Sequence, residues 1–149
     1  MKNKPVMPPT YLFIAIVIMV ALHFILPAAI IIRTPWHMTG IIPLVTGLIL
    51  NLVADRDFKK HRTTVKPFEE STALITAGVY RLSRNPMYLG FELILIGVAL
   101  FLGSLTPFAV VILFPLLMEA RFIRAEEQML AQQFGRSWLA YKEEVRRWI

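Results

Sequence analysis

Two short stretches carry residue types and spacings that could do chemistry. The first is Gly78-Val-Tyr-Arg-Leu-Ser-Arg-Asn-Pro-Met-Tyr-Leu-Gly90. Pro86 cannot sit inside a helix without breaking it, but it suits the first helical position. Asn85 before it is a good N-cap type. A helix therefore starts at Asn85-Pro86, and its unpaired amides, flanked by Arg81 and Arg84, form a ready site for a carboxylate or phosphate. Tyr80 and Tyr88 add aromatic surface, and Gly90 permits close backbone approach one turn in. The plainer reading is a capped helix with interfacial tyrosines and topology-setting arginines. The second stretch is Glu119 to Leu130. On a continuous helix Glu119 and Glu126 are seven residues apart and share a face, with Glu126-Glu127 a carboxylate pair further along. The plainer reading here is an ion-pair network with Arg121 and Arg124. Glu92 and Glu119 resist it better, because they fall in apolar surroundings where ionisable groups mark functional or buried paired sites.

The elements that must position these residues belong to a bilayer. The chain has 149 residues, 56% hydrophobic and 17% charged. A soluble domain of this size could not bury so much apolar surface in one core. A spanning helix needs about 20 residues with few charges. Tyr11–Ile32, Met38–Ala54, Tyr88–Leu105 and Pro107–Ile123 meet that pattern, the fourth only by continuing through Glu119 and Arg121. A secretory signal would have a shorter apolar region and a cleavage site, so the first span is expected to be retained. The expectation is an all-α integral membrane protein of about four transmembrane helices, one domain over 1–149. Of 16 Lys and Arg, only Arg33 falls on the outer side, which places both termini in the cytoplasm. The net charge of +6 then reads as topology and attraction to anionic lipid headgroups, with no nucleic-acid partner. With no cysteine there is no disulfide or thiolate chemistry. His23, His37 and His61 are scattered, so no metal site is expected.

The outer connections, around Arg33 to His37 and Ser104 to Thr106, are short, so function is sought in the cytoplasmic connection 55–85 and the tail beyond Ile123. Asp55 to Lys66 is dense in charge, and Phe68 to Ala77 reads as a short interfacial helix stopped by Gly78. The fourth helix is expected to run to Phe134 and close at Gly135. A last helix from Ser137 repeats Trp138, Tyr141, Val145 and Trp148 at helical spacing among Arg136, Lys142, Arg146 and Arg147. That pattern suits a basic amphipathic helix resting on anionic lipid.

Taken in order, Gly-x-Tyr-x-x-x-Arg-Asn-Pro-x-Tyr-x-Gly, then Glu-Glu-x-x-Leu about 36 residues later, then Phe-Gly-x-x-aromatic-x-x-Tyr, resembles the membrane methyltransferases. These include isoprenylcysteine carboxyl methyltransferase and phospholipid N-methyltransferase. The resemblance covers roughly residues 66–149. It implies S-adenosyl-L-methionine held by a helical bundle at the cytoplasmic face, and the chain agrees in lacking a Gly-x-Gly-x-x-Gly loop after a strand. Carried over, Arg84, Asn85, Pro86, Tyr88 and Gly90 match the first cofactor motif, and Glu126, Glu127 and Leu130 the second. Phe134, Gly135 and Tyr141 match the tail motif that closes over the cofactor. Val79 stands where Pro is common, and Asn85 where many members carry His. Residues 1–60 show no motif tied to a particular substrate.

Methyl transfer from a sulfonium is an in-line displacement, so the protein mainly aligns donor and acceptor and excludes water. On this reading Arg84 and the Asn85-Pro86 helix start hold the methionine carboxylate, and Glu126-Glu127 its ammonium or ribose hydroxyls. A carboxylate acceptor needs no base. An amine or thiol would lose its proton to Glu119 or to water, which makes Arg84 and Glu119 the candidate catalytic residues. The acceptor, a membrane lipid or lipophilic small molecule, would enter from lipid between the third and fourth spans. The expected setting is multi-pass, in a prokaryotic plasma (inner) membrane. Two alternatives stand beside this: an NADPH-dependent reductase of the sterol type, which shares the tail pattern, and a non-catalytic membrane protein that kept the fold.

Overall fold

The computed structural model describes residues 6–60 and 73–149. Helices carry almost all of the regular structure among these residues: α1 (Pro8–Ile25), α2 (Ile41–Lys60), α3 (Pro86–Leu102), α4 (Pro107–Met118) and α5 (Arg124–Glu144). A 3-10 turn at Trp36–Gly40 leads into α2 and another at Gly78–Arg81 precedes α3, while a π turn at Glu119–Ile123 joins α4 to α5. Pro8–Ile25 and Trp36–Lys60 are long and apolar enough to cross a membrane, and Pro86–Leu102 is apolar but shorter. Large apolar side chains such as Phe13, Phe24, Ile42 and Leu52 point outward from α1 and α2. A bilayer suits such a surface.

The helix ends differ from expectation for local reasons. α1 stops at Ile25, well before Ile32, because Pro27 forces Leu26 out of helical geometry, to φ −143° and ψ 67°. α2 continues past Asn51 and Asp55 to Lys60, with an ion pair between Asp55 and Lys59 along its surface. α3 starts at Pro86 as expected and ends at Gly103, whose φ of 73° makes it the left-handed cap. Lys2, Lys4, the charges from His61 to Lys66 and the first part of the expected interfacial helix lie outside the described residues. Its remainder, 73–77, is not helical.

The tightest packing joins α2 to α3. A Cβ on Gly47 would collide with the Gly90 carbonyl, and one on Gly97 with the Gly40 carbonyl. Four glycines thus let two backbones touch. On the other side of α3, Tyr88, Phe91, Leu95 and Ala99 meet Ala15 and Met19 of α1 and Phe114 and Met118 of α4 in the main core. At the far end of α3, the segment after α1 pairs with Gly103 and Leu105, and His23 Nδ1 lies 2.8 Å from the buried Ser104 hydroxyl.

A second core lies at the near end of α3. Trp138, Tyr141 and Val145 pack there against Ala54, Ile75 and Tyr80. This corrects the expectation of an amphipathic helix lying on lipid, because its aromatic face is used by the protein itself. α5 also ends at Glu144, so Trp148 lies beyond it and reaches the main core. Gly135 does interrupt the helix, at φ 49° and ψ −118°.

Candidate functional site

The residues around the start of α3 converge with the far end of α4, with α5 and with the last residues of the chain. Pro86 is fully buried at the first helical position, and the Asn85 carbonyl accepts the first helical bond from the Leu89 amide at 3.0 Å. The Asn85 side chain does not cap the helix. It donates instead to the Arg147 carbonyl at 3.1 Å. The Ser83 hydroxyl donates to the same carbonyl at 3.0 Å, and the Arg84 amide donates to the Arg146 carbonyl at 3.0 Å. The loop 83–85 is therefore zipped to the C-terminal segment.

Arg84 is held within this zip. Its side chain is 7% exposed, its guanidinium lies over the Trp138 ring at 5.6 Å, and its Nη1 is 3.4 Å from Glu127 Oε1. Nε and Nη1 are buried and have no hydrogen-bond acceptor. A buried guanidinium left short of acceptors is costly, and its charge suits a carboxylate. Arg81, by contrast, is exposed.

The two acids of the pair have separate partners. The Tyr88 hydroxyl donates to Glu126 Oε1 at 2.8 Å, and the Tyr88 ring stacks on Phe122. Burial pushes the Glu126 carboxyl above the usual carboxylate range; the bond from Tyr88 opposes this and neighbouring Glu127 adds to it. Glu127 is gripped on both oxygens by Arg147, at 3.1 Å from Nε to Oε1 and 2.6 Å from Nη2 to Oε2. The bonds to Glu127 hold the Arg147 guanidinium above its ordinary value, against partial burial.

Glu119 does not join this pair on one face. The π turn adds one residue to the helix between them, which rotates the downstream residues by about 100° relative to a straight α-helix. Glu119 Oε1 instead accepts from Arg147 Nη1 at 2.8 Å and Arg124 Nη2 at 3.1 Å. Its arginine partners are thus Arg124 and Arg147, and no contact joins it to Arg84.

Gly90 faces α2, where a Cβ would run into the Asn51 side chain. The closely approaching group there is a neighbouring helix. Leu130 packs at the edge of the second core. The Tyr141 hydroxyl donates to the Tyr80 carbonyl at 2.6 Å, and burial pushes it up to about 12 against the pull of Arg84. The route for an acceptor between the third and fourth spans is filled on one side by α1, where Ala15 and Met19 cover the α3–α4 seam. Sequence reasoning missed Arg147 altogether, because nothing local separates it from the other basic residues of the tail.

The chain is 36% identical over 113 residues to Protein-S-isoprenylcysteine O-methyltransferase A of Arabidopsis thaliana, covering 71% of this chain and 55% of that protein. It is 40% identical over 63 residues to an uncharacterised Haemophilus influenzae protein, covering 42% of this chain and the whole of that one. Among solved structures, the eukaryotic intramembrane Ras methyltransferase (isoprenylcysteine carboxyl methyltransferase) superposes with a TM-score of 0.73 and 28% identity, over 95% of this chain and 52% of that one. The chain thus spans about half the length of the Arabidopsis enzyme and of the Ras methyltransferase. The sequence pattern of the phospholipid methyltransferases matches residues 35–137, most of the chain: the chain belongs to the phospholipid methyltransferase family.

Proposed function

We propose that the chain transfers a methyl group from S-adenosyl-L-methionine to a lipophilic or small acceptor at the cytoplasmic face of a prokaryotic plasma membrane. The observation that carries this reading is the buried Arg84 guanidinium beside the start of α3, with two N–H groups lacking an acceptor. A methionine carboxylate fits that need in charge. When bound, S-adenosylmethionine supplies an electrophilic methyl group on a sulfonium. Arg84 and the first free amides after Pro86 hold the carboxylate. Glu126 faces the ammonium or the ribose hydroxyls. Glu127 acts with it in the pair but is oriented by Arg147. Tyr88 fixes Glu126 through its hydroxyl, while Asn85 and Pro86 set where the helix begins. Leu130 and Tyr141 wall the site from the second core.

The acceptor is a carboxylate, an amine or a thiol. The names of the Arabidopsis and Ras enzymes favour an isoprenylated carboxylate, and the family name favours a lipid amine. An amine or thiol would pass its proton to Glu119, whose Oε1 is taken by two arginines, through the other oxygen. α1, α2, α3 and the run from Pro107 to Ile123 make four crossings, with both termini cytoplasmic and the basic surface against anionic headgroups.

The test is calorimetric titration of the purified chain in detergent with S-adenosylmethionine, S-adenosylhomocysteine and NADPH. Binding of the two sulfur ligands and not of NADPH is expected. Binding of NADPH alone would replace the reading with a reductase, and binding of none would leave a non-catalytic protein.

A further inference from the structure

Arg84 and Arg147 compete for one carboxylate. Glu127 is 13% exposed and lies within reach of both guanidiniums. Arg147 takes both of its oxygens and sends its third nitrogen on to Glu119. Arg84 is left with a single 3.4 Å approach. The hydrogen bonds of the zip fix both arginines at this spacing, since the Arg146 and Arg147 carbonyls are tied to the Arg84 amide and to the Ser83 and Asn85 side chains. Three guanidiniums (Arg84, Arg124 and Arg147) and two carboxylates (Glu119 and Glu127) leave one net positive charge, and the unengaged donors are those of Arg84. Without Arg147, both oxygens of Glu127 would be free to close on Arg84 in the two-pronged geometry that carboxylates and guanidiniums prefer. Arg84 would then be neutralised inside the protein.

We propose that Arg147 is a positioning residue of the donor site: by holding both oxygens of Glu127 it keeps the Arg84 guanidinium available to the carboxylate of the ligand. The C-terminal segment is on this account a working wall of the site. Asn85 serves it as the tether of the strap, which gives a role to the residue that departs from the family's usual His. The inference rests on the proposed role of Arg84 as carboxylate anchor.

The experiment is a double-mutant cycle on the full chain in detergent, reading S-adenosylhomocysteine affinity by calorimetry and the melting temperature of each variant. Arg147→Met is expected to weaken binding about tenfold or more, a shift of at least about 1.4 kcal/mol. Arg147→Lys should recover part of it, because an ammonium cannot grip two oxygens in a plane. In a Glu127→Gln background, where residue 127 no longer offers Arg84 a carboxylate, Arg147→Met should cost less than about threefold. A strap that matters only for folding predicts the same loss in both backgrounds, and that result would overturn the inference. Unchanged affinity in Arg147→Met with a wild-type protein that binds would also overturn it, while leaving the donor site standing. A wild type that fails to bind removes both. If Arg147→Met alone does not fold, the Lys variant decides: wild-type affinity in a folded Arg147→Lys protein sinks the proposal, and a partial loss upholds it.

Discussion

Replacing Tyr88 by Phe removes one hydrogen bond and nothing else of consequence, because the ring keeps its stacking on Phe122. The bond runs from the phenol to Glu126 Oε1, and its worth depends on whether Glu126 is ionised. A neutral pair contributes about 0.5–1.5 kcal/mol and a charged acceptor about 1.5–3 kcal/mol. Burial raises the Glu126 carboxyl above its ordinary value of 4.5, so the folded chain keeps this proton to higher pH than the unfolded chain does. The stability that Glu126 contributes is therefore complete below the ordinary carboxylate range and is lost as pH rises through the raised folded value. Within that same rise the Tyr88 bond changes from neutral to charge-assisted. The cost of Tyr88→Phe should thus grow with pH, reaching roughly 3–12 °C in melting temperature on the alkaline side at about 2–4 °C per kcal/mol. Without its donor, Glu126 should hold its proton to still higher pH. The assay is a melting series from acid to mildly alkaline pH in one detergent, with Glu126→Gln as the control that flattens the pH dependence. A Tyr88→Phe penalty that stays constant across the series, or that turns at or below the ordinary carboxylate value, would refute this account of the pair.

Arg84→Ala should weaken S-adenosylhomocysteine binding about 10- to 150-fold, the equivalent of roughly 1.5–3 kcal/mol for a charge-assisted bond, with Arg84→Lys in between; unchanged affinity in a folded protein would remove Arg84 from the site. Gly47→Ala should destabilise by about 1–3 kcal/mol, since its methyl would strike the Gly90 carbonyl and Ile94, and a melting temperature equal to wild type would disprove the close α2–α3 contact. A reporter fused after Ile149 should be active only in the cytoplasm, and activity confined to the outer side would overturn the four-crossing topology.

What could be read from the sequence was local or compositional. The helix start at Asn85-Pro86 follows from the fixed φ of proline, and the break at Gly135 from the conformational freedom of glycine. The nearness of Arg84 to the acid pair came from an ordered motif, since no local rule joins residues some forty positions apart. The rest depended on tertiary structure. Trp138, Tyr141 and Val145 have the periodicity of a lipid-facing helix, and periodicity does not say which apolar partner fills the other side. Arg147 contacts residues 20 and 28 positions back through its side chain and 62 and 64 back through its carbonyl, in a tail rich in basic residues. The π turn has no signature of its own, so a seven-residue spacing suggested a shared face that the extra residue removes.

That extra residue also works as a frameshift in the helix. Deleting any one residue between Glu119 and Ile123 would let the segment relax to ordinary α-helix with its hydrogen bonding intact. The same deletion would leave everything from Arg124 onward facing as it does now, because the π turn already absorbs one residue without adding its rotation. Glu126 would stay with Tyr88 and Glu127 with Arg147, whereas straightening the turn at unchanged length would turn both acids away by about 100°. A substitution that straightens these five positions is therefore a harsher perturbation than a shortening by one residue. In related chains, an alignment gap of one residue here marks the loss of the turn, with the acids seated from the same positions.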